Sequence, residues 1–284
     1  VAVQTFTTAA VNSSDAYFRD WGKKLSDALT AVGLFKTADT GQVDWDTVSR
    51  PTLANQMMGY EIRAFQDTLQ ASNPVIFRIE YGGGDASAYT QIMITVCRAT
   101  DGAGNVVGES TRRLAMKNAS SSTTAYNCFV SGDVDRVSVA MFANSGLLLP
   151  FYIERTKNAS GGNTTTGVNI VWSAVSKNYQ VFFPRKGLQH PLTQIEYSIC
   201  CLFPGTGTTA SYAGDIGLFP IMPMLGYTEN PDLGACVYFT GDIAFNTDVA
   251  LTILGSSHVY KTIAGSIGTV NGNGNGKSLA MRYE

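Results

Sequence analysis

A chain of 284 residues, 44% of them hydrophobic, is long enough for one or two domains with a large buried core. That hydrophobicity and a formal net charge of −2 exclude intrinsic disorder, and no basic excess exists to hold nucleic acid by counterion release. Only 15% of residues are charged and 29 are glycine, so much of the surface should be neutral, as suits a protein covered by neighbours in an assembly rather than a freely diffusing metabolic enzyme.

Val1 to Val11 alternates small, apolar and Thr residues and has neither a basic n-region nor a continuous apolar stretch, so it does not read as a signal peptide. The most apolar segments, Leu147 to Ile153 and Leu218 to Leu225, are too short for a membrane span. From Asp15 to Val32, Phe18, Trp21, Leu25, Ala28, Leu29 and Val32 recur at spacings of three and four, which predicts an amphipathic helix. Ser14 is placed to cap it, Asp15 adds negative charge to its first turn and Gly33 offers a stop. Gly22 sits inside it at a cost of about 1 kcal/mol relative to Ala. That glycine reflects either neutral drift or the close approach of another backbone.

Ala38 to Trp45 reads as irregular, with turn chemistry at Asp39, Thr40 and Gly41. Gly59 to Leu69 fits both a short helix and a strand. From Pro74 the period becomes two: Val75, Phe77, Ile79 and Tyr81 alternate with Ile76, Arg78 and Glu80, and Gly82-Gly83-Gly84 reads as a flexible turn. Strand-like stretches recur at Gln91 to Ala99, Thr123 to Val130, Arg136 to Phe142, Val168 to Val175, Tyr179 to Phe183, Gln194 to Phe203, Cys236 to Phe245, Asp248 to Leu254 and Val259 to Ile263. Between them lie Gly-, Asn-, Asp-, Ser- and Pro-rich breaks. Short strands without helical patterns between them predict a mainly β chain: an antiparallel β-sandwich or jelly-roll-like body over residues 74–284, behind a helix-containing attachment segment, residues 1–73. Asn271 to Glu284 reads as a terminal hairpin with Asn-Gly steps at its tip.

The residues offer little chemistry. Five cysteines, Cys97, Cys128, Cys200, Cys201 and Cys236, show no C-x-x-C spacing and read as reduced thiols; with only His190 and His258 beside them, no metal site is expected. No nucleophile elbow, zinc motif or phosphate loop occurs, so no cofactor is expected and no catalytic residue can be named. Asp44/Asp46 and Asp133/Asp135 form D-x-D pairs that do not continue into a calcium loop and read as turn residues. Trp21 and Trp172 read as core. Trp45, between Asp44 and Asp46, has the best claim to partial exposure, either to stack on a sugar or to pack against the helix.

An ordered series spans the first eighty residues: Phe18-Arg19-Asp20-Trp21-Gly22, the small-residue helix Leu25 to Leu34, Ala38-Asp39-Thr40-Gly41-Gln42-Val43-Asp44-Trp45, Gly59-Tyr60-Glu61-Ile62 and Phe77-Arg78-Ile79-Glu80-Tyr81-Gly82. This series resembles a group of structural proteins of tailed bacteriophages. The resemblance covers the N-terminal third well and the β-rich remainder only in general character, and it carries over no catalytic residues. It implies a non-enzymatic virion component, tail-associated, present in several symmetric copies and assembled in the bacterial cytoplasm. The partners expected are further copies of the chain and other virion proteins, with neither nucleic acid nor membrane. Phe18, Trp21, Leu25 and Trp45 are the candidate interface. The alternatives are a capsid decoration protein and a receptor- or carbohydrate-binding tail protein that meets a host surface glycan through loops around Trp45, Tyr89 or Tyr212.

Overall fold

The computed structural model describes residues 2–9, 14–84, 90–117, 125–142, 151–157, 162–176, 179–182, 185–186, 218–220, 236–240, 247–253, 256–264 and 277–282. Strand β1 (Ala2–Thr7) precedes helix α1 (Asp15–Ala31); β2 (Met57–Ala64), β3 (Ile76–Gly83), β4 (Thr90–Thr100) and β5 (Val106–Lys117) come after it. Next are β6 (Asn127–Asp133), β7 (Arg136–Phe142), β8 (Phe151–Lys157), β9 (Asn163–Ser176), β10 (Tyr179–Phe182) and β11 (Arg185–Lys186). The last strands are β12 (Leu218–Pro220), β13 (Cys236–Thr240), β14 (Asp248–Ile253), β15 (Ser256–Ala264) and β16 (Lys277–Arg282). The chain is mainly β, with antiparallel sheets in a sandwich-like body and, among the described residues, one helix near the N-terminus.

Three sheets form. One runs β2-β3-β4-β5; the second runs β1-β6-β7-β8-β9-β10, with β11 also on β9; the third runs β12-β13-β16-β15-β14. Apart from β1 and β11, the first two are meanders, in which sheet neighbours are also chain neighbours. The antiparallel period of two then sorts side chains by face. In the first sheet Phe77, Ile79 and Tyr81 stand opposite Val96, Ile94 and Ile92, and all six are buried. In the second, Cys128 and Val130 of β6, Val137, Val139 and Met141 of β7, and Ile153 of β8 are buried. These residues join the apolar face of α1 in one hydrophobic core, where Trp21 Nε1 donates to Met141 Sδ at 3.4 Å.

The helix is built as its sequence directs. Ser14 is extended and its hydroxyl accepts from Tyr17 N at 3.1 Å; the chain turns off at Gly33, where φ is +93°. The outward face carries the i,i+4 pairs Lys23–Asp27 and Lys24–Asp20.

A boundary at residues 73/74 falls between β2 and β3, which pair along seven positions, while β1 pairs with β6 through six. Residues 1–73 therefore share sheets and core with the strands beyond residue 73. Gly59 to Leu69 resolves into strand through Ala64, and then a turn in which Leu69 N donates to Asp67 Oδ1. That turn is tied to the second sheet by the buried Arg155, whose Nε donates to Asp67 Oδ2 at 2.8 Å and whose guanidinium also reaches the Asn73 carbonyl at 3.0 Å. Gly82 and Gly83 are not a flexible turn but the end of β3. A Cβ on Gly82 would come within 2.1 Å of the Gln56 carbonyl oxygen, so the crossing requires glycine. β16 pairs antiparallel with β15 on one side and β13 on the other; of the hairpin expected over Asn271 to Glu284, only Lys277–Arg282 falls within the described residues. The hairpin tip, the strand expected at Gln194 to Phe203, and Cys200 and Cys201 lie outside the described residues.

Candidate functional site

Two features of the first sheet concentrate polar groups, one on each face. The inner feature gathers most of the N-terminal series. Glu61 is fully buried on β2, and its two carboxylate oxygens serve five side chains. Oε1 accepts from Ser26 Oγ at 2.6 Å, Trp45 Nε1 at 3.0 Å and Lys36 Nζ at 2.7 Å; Oε2 accepts from Tyr81 OH and Arg63 Nε, each at 2.9 Å. Arg63, also fully buried, spends its remaining donors on Ser26, Thr30 and the Leu34 carbonyl at the end of α1. Burial would by itself raise the Glu61 pKa, but the Arg63 charge and the hydrogen bonds from Lys36 and Ser26 bring it down to about 2. The Tyr81 hydroxyl is pushed well above its ordinary value, first by burial and then by the Glu61 charge.

Aromatic rings close over this hub. Trp45 meets Tyr81 edge-on with centroids 4.9 Å apart, and Phe18 lies 5.7 Å from Trp21 and 5.9 Å from Trp45. Gly22 is where the Trp45 ring crosses the helix: a Cβ there would lie 2.0 Å from ring carbons. The close approach behind this glycine is thus by an indole, not by another backbone.

The expected interface residues are placed here, not on a surface. Phe18 is 3% exposed, Trp21 and Leu25 are 0% and Trp45 is 6%. As a correction, all four belong to the chain's own core. The apolar face of α1 finds enough complementary surface on its own two sheets, and Trp45 has an internal partner for its N–H. Tyr89 and Tyr212 lie outside the described residues.

The outer feature is an open groove with a cavity volume of about 490 Å³, lined among others by Asp44, Met57, Met58, Tyr60, Arg78 and Glu80. Tyr60 and Glu80 are cross-strand neighbours on the face opposite Glu61 and Ile79. The Arg78 guanidinium carbon stands 4.5 Å over the Tyr60 ring centroid, and one of its terminal nitrogens lies 3.4 Å from Glu80 Oε1. The Nε of Arg78 has no hydrogen-bond partner. Tyr60 is held from elsewhere: its hydroxyl lies 3.0 Å from the carbonyls of Thr40 and Ala103, and Gly104, with φ of +82°, packs on its ring. At the rim, Asp44 accepts from Asp46 N and from the Thr47 hydroxyl, and these bonds lower its pKa. Its carboxylate is a turn cap, as the spacing suggested. Among the described residues, no group of three or more His, Cys, Asp or Glu could hold a metal ion. Cys97 and Cys128 are free, buried thiols with pKa values raised first by desolvation.

Sequence reasoning did not find either feature. The signal for the groove was present: Arg78 and Glu80 are the polar partners in the alternation of β3. The hub carried a weaker one, two opposite charges at i,i+2 on the apolar face of β2. The sequence matches no protein-family model and no curated protein.

Proposed function

We propose that this chain is a non-enzymatic structural component of a tailed-bacteriophage virion, acting through symmetric assembly with copies of itself and with other virion proteins. The observation that carries the reading is the destination of the N-terminal series. Phe18, Trp21, Gly22, Trp45, Glu61 and Tyr81 meet in one buried hub, so the residues that carry the resemblance are those that specify this packing. A signature made of fold-setting residues is what a building block requires. The surface open to a neighbour is then the groove beside Tyr60, where stacked Arg78, the carboxylates Asp44 and Glu80 and the side chains Met57 and Met58 offer charge and adaptable apolar contact together. The sugar-binding alternative loses its first platform, because the Trp45 ring is enclosed.

Imaging an intact particle tests this directly. The chain should be located in it as a symmetric array, with a low multiple of three or six copies at the tail or far more if it decorates the capsid. Purified particles lacking the chain would overturn the reading. Arg78→Ala should leave the isolated chain folded and reduce its incorporation. Release of product from host polysaccharide by purified protein would replace the structural role with an enzymatic one.

A further inference from the structure

The free edge of the second sheet is a surface apart from the groove. β1 stands last in that sheet, and among the described residues no strand lies on its far side. The direction of its backbone groups follows from its ladder. Register places Thr8 opposite Tyr126, one step beyond the Thr7–Asn127 pair, and Thr8 N donates to the Tyr126 carbonyl at 2.9 Å. In an antiparallel ladder only alternate residues bond to the neighbour directly opposite. Ala2, Gln4 and Phe6 therefore bond to β6, whereas Val3, Thr5 and Thr7 turn their N–H and C=O groups to the free edge. One of these groups is engaged, as the outward direction requires: the Thr7 carbonyl accepts from Lys24 Nζ at 2.9 Å. Thr5 is exposed and Val3 half-buried.

Edge strands are ordinarily guarded against pairing by charge, proline or a bulge. Ala2–Thr7 contains no proline and no charged residue, and its pairing with β6 runs without a register shift. We propose that this edge pairs antiparallel with β1 of a second copy, about a two-fold axis at Gln4. Val3 of each chain then stands opposite Thr5 of the other, so every outward N–H and C=O of those residues finds a partner. The Lys24–Thr7 contact stays intact. On the core side Ala2 meets Phe6 of the second copy, and both already pack in part against the hydrophobic core. A second copy fits better than a foreign strand for two reasons. The edge is its own complement under this axis, and an uncharged strand meets itself without like-charge repulsion. The inference rests on the proposed assembly from copies of the chain and locates one contact between them. So small an interface is weak alone and gains from repetition in an array.

Sedimentation of the isolated full chain at concentrations up to about 1 mM tests the pairing. Mass should rise reversibly from one copy towards two. Thr5→Pro removes an outward N–H, a change that an edge strand tolerates, and should abolish the rise in a folded protein. Under mild oxidation Gln4→Cys should form a disulfide-linked dimer beyond the wild-type level, since the axis brings this residue against its own copy. Thr7→Cys, which the axis holds away from its own copy, should not. If Thr5→Pro fails to fold, the two cysteine variants still decide. A chain monomeric throughout, a dimer that Thr5→Pro leaves intact, or equal cross-linking at both cysteines would overturn the inference. Each of those results leaves the virion reading standing, because that reading falls with particles that lack the chain.

Discussion

Two carboxylate–guanidinium pairs stand back to back on one sheet, and each is spaced i,i+2 on a single strand. Glu61 and Arg63 of β2 face inward, both fully buried, with an N–O separation of 2.9 Å. Arg78 and Glu80 of β3 face outward, 27% and 10% exposed, with a separation of 3.4 Å. The residue types match; the surroundings do not. The inner pair is enclosed by α1 and by the indole of Trp45, and nearly every polar atom of its members has a second partner. The outer pair is tied to a stacked ring and opens on a groove. The same two residue types therefore sit in different surroundings on the two faces: the inner pair is closed in by several further partners, whereas the outer pair, whose Glu80 is itself buried, keeps its arginine partly open to the groove.

The largest break in this contrast is removal of the inner cover. Deleting residues 1–35 takes away Phe18, Trp21, Leu25 and Leu29, each contributing about 1.5–3 kcal/mol by burial. That loss rivals the whole stability of a typical domain, so the truncated chain should show no cooperative unfolding in denaturant. A folded truncation product would show that the helix is peripheral. Next in size is Glu61→Ala, which leaves Arg63 buried without its counter-charge and should cost about 3–5 kcal/mol by urea titration. The matching outer change, Glu80→Ala, should cost less, because it leaves Arg78 partly exposed and stacked on Tyr60; equal effects would erase the distinction between the faces.

Acid sharpens the same comparison. Glu61 has a folded pKa of about 2 against an ordinary 4.5. A lowered folded pKa means stability that is fully present above the unfolded value and lost as pH falls toward the folded one. The wild type should therefore lose on the order of 3 kcal/mol between about pH 5 and about pH 2, a loss that Glu61→Gln should not share. Parallel pH curves for the two proteins would contradict the depressed pKa. A smaller effect comes from Gly22→Ala. Helix propensity favours it by about 1 kcal/mol, but the methyl would press into the Trp45 ring, for a net loss of about 1–2 kcal/mol. Trp45→Leu should recover part of the Gly22→Ala loss in a double-mutant cycle, whereas additive losses would separate the two sites.

Much of the fold was legible. The helix from Asp15, its Ser14 cap, its stop at Gly33, and the strands at Ile76–Gly83, Thr90–Thr100 and Arg136–Phe142 follow from apolar period and turn chemistry. Of the strands that the expected stretches missed, three have separate reasons. β1 pairs with β6, which lies 120 to 130 residues further along the chain. β5 contains Gly108 at φ +78°, and its ladder with β4 shifts register twice, which breaks the two-residue period. β8 carries Glu154 and Arg155, both buried, where a sequence reading puts charges in water.

The sequence by itself determined local conformation: where the helix begins and stops, where the period becomes two, and which side chains are apolar enough to be withdrawn from water. Those properties depend on neighbours a few residues away. Tertiary structure decided what the apolar helix face would meet, which of two equivalent Glu–Arg pairs would be enclosed, and why Gly22 and Gly82 lack side chains. Each of those outcomes depends on groups brought together from distant segments: Trp45 onto Gly22, Gln56 onto Gly82, Glu61 onto Ser26 and Tyr81. Alternation names the two faces of a strand, but only the packed molecule makes one of them the inside.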